Sequence, residues 1–150
     1  MPVKKHYIQA PFRLTPSKHF PGELSLECPE CFSKNVIMTV EPKGLGTGPG
    51  RSFRMGDPCW QIDICESCGA TRHRAEGERT YGHRGVTFVV APDAPLSGLF
   101  WHVPLWDQLS RFTGWERSPG AFYNGVEEHP EGAYEWARAS ACKFIDKLKG

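Results

Sequence analysis

Four of the six cysteines in this 150-residue chain fall in two C-x-x-C pairs, Cys28-Pro-Glu-Cys31 and Cys65-Glu-Ser-Cys68, separated by 33 residues. A C-x-x-C turn can aim two thiolates at one ion. Two such turns complete the tetrahedral four-sulfur shell preferred by structural Zn²⁺. Four sulfurs close the shell, so no position is left for an activated water, and the metal is expected to hold shape rather than perform chemistry. Two unrelated thiol pairs, or a redox dithiol, are the alternatives. Cys59 is six residues before Cys65 on the same expected strand face, which makes it a substitute ligand or a small buried thiol. His73, five residues after Cys68, could replace a cysteine, and Cys142 reads as a packed residue.

The residues flanking these pairs must place them. Residues 35–40 (NVIMTV) are β-rich, and residues 60–64 (WQIDI) alternate apolar and polar side chains with the period of a half-buried strand. Between them, residues 41–58 carry five glycines and three prolines and read as a long flexible loop. Residues 1–27 hold Tyr7, Ile8, Phe12, Leu14 and Phe20 among four prolines, the composition of an extended arm laid across a core. Residues 85–91 (GVTFVVA) are the most apolar strand candidate. The spacing of Leu105, Trp106, Leu109 and Phe112 predicts a short helix over 104–112, with proline at its start and Gly114 beyond its end. A longer helix is expected from about 130 to 148, where Tyr134, Ala137, Ala141, Ile145 and Leu148 share one face. Glu127, Glu128, Glu131 and Glu135 stand near its start and Lys143, Lys147 and Lys149 near its end, an order that complements the helix dipole.

With a strand candidate flanking each pair, residues 26–78 resemble the zinc-ribbon group, in which two cysteine knuckles sit at one end of a small antiparallel sheet. Gly69 follows Cys68 at the place where such knuckles often need a positive φ. Phe32 stands at the corresponding place after Cys31, and the spacing between the pairs exceeds that of a compact ribbon. The expectation is one α+β domain: a zinc-ribbon antiparallel sheet over 28–80 with a long inserted loop, then over 85–150 an additional strand and two C-terminal helices. Metal binding would couple to folding, because energies of order 10 kcal/mol exceed the stability margin of most small domains.

Composition narrows the function. Hydrophobic residues make up 39% of the chain and charged residues 23%, which excludes a wholly disordered chain, while 16 glycines and 13 prolines imply long connections. The formal net charge of +1 excludes a strong global field. No run approaches the roughly 18 apolar residues of a membrane span and no secretory core follows Met1, so a cytoplasmic protein with no membrane partner is expected. In a reducing compartment paired cysteines read as metal ligands.

Charge is nonetheless placed unevenly. Residues 1–91 carry 12 basic and 9 acidic side chains, +3, whereas residues 92–150 carry 6 and 8, −2. Arg72 and Arg74 share a strand face, Arg51 and Arg54 lie in the glycine-rich loop, and Lys34 lies beside the first knuckle. These five could meet nucleic-acid phosphates, or could offset the −2 charge of a metal site with four thiolates. Trp101, Trp106, Trp115, Phe122, Tyr123 and Trp136 build a core or anchor a protein partner. The expected function is therefore non-enzymatic binding of nucleic acid or of a nucleic-acid-processing complex. A structural or assembly subunit, intracellular or viral, is the alternative. A metal-dependent nuclease using His102, Asn124, His129 and Glu131 is a lesser one, since their spacing specifies no site. Cytidine-deaminase-type chemistry needs His-x-Glu before Pro-Cys-x-x-Cys. Here His129-Pro-Glu131 comes after both pairs. The common phosphate-loop, nucleophile-elbow and H-E-x-x-H motifs do not occur.

Overall fold

The computed structural model describes residues 4–17, 19–42, 59–75, 77–92, 98–122 and 131–150. Its first sheet comprises β1 (His6–Tyr7), β4 (Val36–Pro42), β5 (Cys59–Cys65) and β6 (Ala70–His73) in the order β1-β6-β5-β4. The β-branched run of β4 pairs antiparallel with the alternating β5, Val36 opposite Cys65 and Thr39 opposite Ile62. β1 closes the other edge, pairing parallel with β6. The second sheet has the order β10-β9-β8-β7, built from β7 (Arg79–His83), β8 (Val86–Pro92), β9 (Leu99–Trp106) and β10 (Phe112–Arg117). β2 (Arg13–Pro16) and β3 (Leu24–Glu27) form a separate hairpin, tied to the second sheet where the Leu14 N–H donates to Thr87 Oγ1 at 2.8 Å.

The main core lies between the second sheet and one helix, α1 (Glu131–Lys149). Phe88 and Val90 from β8 and Leu99, Trp101 and Val103 from β9 meet Ala133, Tyr134, Ala137, Ala141 and Ile145 of the helix. Ala137 and Ala141 carry almost no side chain at the contact, so the helix can approach closely enough for Trp101 Nε1 to donate to Ser140 Oγ at 3.1 Å. Thr87, Val89 and Ala91 point to the opposite face of β8 and are buried as well, so both faces of that strand are covered. Exposed pairs tie the helix to β7 and its turn: Arg79 donates to Glu131 at 2.6 Å, and His83 and Arg84 contact Asp146 at 2.9 and 3.1 Å.

The helix over 131–149 agrees with expectation, although Leu148 is 57% exposed rather than part of the apolar face. The helix predicted over 104–112 is corrected: that stretch is the end of β9, a turn and the start of β10. The region from 85 onward therefore contains three strands and a single helix among the described residues. The apolar spacing there is equally that of a hairpin, which brings Trp106 opposite Phe112 with ring centroids 5.7 Å apart. Asp107 enforces the turn by accepting the backbone N–H groups of Leu109 and Arg111 at 2.8 and 2.9 Å, and Ser110 takes the left-handed conformation at φ 61°. An adjacent strand, β8, then offers β9 a ladder that no local propensity could reveal. Within the segment read as an arm over 1–27, the described residues form β1 and the β2–β3 hairpin. Of the loop over 41–58, Glu41 and Pro42 belong to β4 and the remainder lies outside the described residues.

Ile145→Ala should cost about 2–5 kcal/mol in urea denaturation, against less than about 1 kcal/mol for Leu148→Ala. Hydrogen bonds hold two carboxyls below their ordinary range, from Arg79 to Glu131 and from His83 and then Arg84 to Asp146. Their folded-state pKa values lie below the unfolded ones, so the stability they add is complete at neutral pH and is lost as pH falls through the carboxylate range. Asp146→Asn should therefore remove part of the acid-induced decline in melting temperature.

Candidate metal centre

Cys28, Cys31, Cys65 and Cys68 bring their sulfurs within 4.8 Å of one another. The Cys28–Cys68 and Cys31–Cys65 contacts measure 3.6 and 3.5 Å. A disulfide requires about 2.05 Å, so these are free thiols. A regular tetrahedral thiolate shell with metal–sulfur bonds of about 2.3 Å has edges of about 3.8 Å. The measured contacts lie close to that edge, and the four cysteines could hold one metal ion.

Backbone geometry explains how they converge. In the first knuckle the Phe32 N–H donates to the Cys28 carbonyl at 3.0 Å; in the second the Gly69 N–H donates to the Cys65 carbonyl at 2.8 Å. Both residues adopt positive φ, 64° for Phe32 and 87° for Gly69. The phenylalanine thus adopts the conformation that the glycine provides without steric cost, at a penalty of about 1–2 kcal/mol. The turns leave N–H groups facing sulfur, as where Glu30 N–H donates to Cys28 Sγ at 3.4 Å. Ser33 and Ser67 hydroxyls, 2.8 Å apart, link the two turns directly.

The protonation states follow from these surroundings. Burial pushes the Cys28 thiol up to about 12 despite donors from the Cys31 and Glu30 backbone. At Cys65 burial also opposes ionisation, but the Cys68 and Ser67 N–H groups and the neighbouring thiols together bring it down to about 7. Burial raises Cys68 as well. A metal entering this set must displace thiol protons.

His6 and Glu30 are hydrogen-bonded to each other beside Cys68, and their ligating atoms fall within 4.8 Å of its sulfur. The sequence reading passed over His6, which β1 brings to the second knuckle through its N–H bond to the Gly69 carbonyl at 3.0 Å. His73 stands outside the cysteine cluster: its ring stacks on Trp60 at 5.3 Å and meets Tyr7 edge-on at 5.1 Å. Cys142 lies on α1 against the main core, and the Cys59 side chain lies outside the described residues.

Of the five expected contact residues, Lys34, Arg72 and Arg74 are described, and each has a hydrogen-bond partner within the chain. Arg72 is 9% exposed and donates both guanidinium ends to Glu78 at 2.7 and 2.8 Å. Arg74 holds the buried Asp63 at 3.0 and 3.1 Å. Lys34 is exposed and donates to the Pro16 carbonyl at 3.0 Å, whereas Arg51 and Arg54 lie outside the described residues. Among the nuclease candidates, Glu131 is occupied by Arg79 and His102 sits edge-on to Trp115 at 6.3 Å. Asn124 and His129 lie outside the described residues. Comparison with protein-family models, with curated proteins and with solved structures finds no match to the chain.

Gly69→Ala should destabilise the protein by about 1–2 kcal/mol, because a Cβ is added at positive φ, while Phe32→Gly should leave metal content unchanged. Melting curves paired with elemental analysis check both.

Proposed function

We propose that the protein is a non-enzymatic zinc-ribbon binding module, whose metal organises the first sheet and whose surface takes nucleic acid or a nucleic-acid-processing complex. The observation that carries this reading is the closed four-sulfur cluster at the end of the β4–β5 hairpin. Four thiolates suit tetrahedral zinc, fill every position and leave none for substrate or water. Cys28, Cys31, Cys65 and Cys68 would hold the ion, and zinc would supply folding energy rather than catalysis. The basic first portion of the chain supports electrostatic contact with phosphates. Lys34, Arg51 and Arg54 are assigned direct contact; Arg72 and Arg74, each already facing a carboxylate, contribute a weaker field.

A second reading, an assembly subunit, is favoured by one surface. β4 is an edge strand on which Ile37, Met38 and Val40 are 42%, 61% and 48% exposed, and apolar edges of this kind pair with further chains. The two readings separate by experiment. Zinc-loaded protein should bind short nucleic-acid probes at low salt, with log affinity falling linearly as log salt rises. The slope should shrink by about one for each phosphate contact removed by Lys34→Ala, Arg51→Ala or Arg54→Ala. No binding at low salt, together with a stable large oligomer in sedimentation, would favour the subunit instead. Cys65→Ser should lose zinc and probe binding together.

A further inference from the structure

An open cleft of about 470 Å³ is lined by Tyr7, Ile8, Gln9, Arg72, His73 and Trp115. Tyr7 comes from β1, Arg72 and His73 from β6, and Trp115 from β10, so both four-stranded sheets contribute to one wall system. Its volume falls within the roughly 300–1,000 Å³ of small-ligand sites. The aromatic groups are held in place rather than loosely displayed. His73 is stacked on Trp60 with an interplanar angle of 22°, and Tyr7, 62% exposed, stands at 82° to it. Trp115 is braced by Phe112 at 5.5 Å.

The polar groups are as informative as the rings. Arg72 lies 5.9 Å from the Trp115 ring centroid, but Glu78 neutralises it through two hydrogen bonds. The cleft therefore receives little net positive charge from Arg72 to attract a phosphate. The His73 Nε2 atom is buried without a hydrogen-bond partner, 4.0 Å from a Glu41 carboxylate oxygen. The exposed Gln9 carboxamide also lines the wall and can both donate and accept. Flat apolar surfaces with a few donors and acceptors suit a planar heteroaromatic ring better than an anion.

Two further cavities share lining residues with the cleft. A cavity of about 560 Å³ shares Tyr7, Ile8 and Gln9 and adds Phe32, Trp106 and Phe112. Another, of about 380 Å³, shares Arg72 and Trp115 and adds His102 and Arg117. Aromatic side chains thus line all three neighbouring cavities, together called the trough below.

We infer that this trough takes unpaired nucleobases, so that the nucleic acid bound is single-stranded. The inference rests on the nucleic-acid reading above and narrows it. In a duplex the base faces are stacked on one another and unavailable to Trp115 or Tyr7, whereas a single strand can lay successive bases on protein rings.

Fluorescence anisotropy of the zinc-loaded full chain, with a labelled single strand and the duplex of the same sequence, tests this. The single strand should bind more tightly than the duplex. Trp115→Ala and Tyr7→Ala should each weaken single-strand binding by about 5- to 150-fold and leave duplex binding unchanged, while Trp115→Phe, which keeps a stacking face, should retain most of the affinity. Gln9→Ala provides a milder variant with no core role and should alter the preference among homopolymer strands. Zinc content and circular dichroism confirm that each variant is folded. Equal affinity for both forms, or no loss in folded Trp115→Ala, overturns the inference while the nucleic-acid reading stands. Absence of binding to either form overturns both.

Discussion

The convergence of four sulfurs is the constraint on which the first sheet depends. Among the described residues the buried cluster around that sheet is small: Phe12, Cys28, Cys65 and Ala70 form it, with Ile8, Leu26, Val36 and Cys68 packed at its border, and Ile62 of β5 is buried outside it. Two of the four members are cysteines, so the sulfur cluster occupies the place where another domain would put leucine or phenylalanine. The second sheet is built differently, with five large side chains and a helix face closing a conventional core. One part of the chain is therefore stabilised by hydrophobic burial, while the other has a smaller apolar cluster beside four cysteines that could hold a metal ion.

The same economy shapes the charges. Arg72 lies on β6 and Arg74 directly follows its end, and both reach carboxylates with little exposure to water. A buried charge without a partner costs several kcal/mol, so bidentate pairing is what allows these long side chains to be there. Once paired they present little net charge. The cleft beside Arg72 is consequently lined by aromatic and polar groups with little net charge from that arginine.

The left-handed backbone positions of the first sheet's turns lie directly after Cys31 and Cys68. The two knuckles repeat one hydrogen-bonded turn, yet one has glycine at its left-handed position and the other Phe32. The exposed phenylalanine ring receives the Arg13 guanidinium at 5.5 Å and borders the trough through its other contacts. Its side chain thus adds surface that a glycine would lack, against the conformational cost of its backbone.

Local pattern alone carried the four cysteines, the two strands between them and the final amphipathic helix, because each depends on neighbours within a few residues or on a ligand spacing with its own chemistry. Gly69 was readable for the same reason. The hairpin of β9 and β10 was not: Leu105, Trp106, Leu109 and Phe112 satisfy helical spacing and cross-strand pairing alike, and only the presence of β8 alongside decides between them. Nor could the order of residues show that Arg72 and Arg74 would meet Glu78 and Asp63, that His6 would stand beside Cys68, or that Tyr7 and Trp115 would border one cleft. Those encounters are set by how strands distant in the chain lie against one another, and a one-dimensional pattern contains no measure of that proximity.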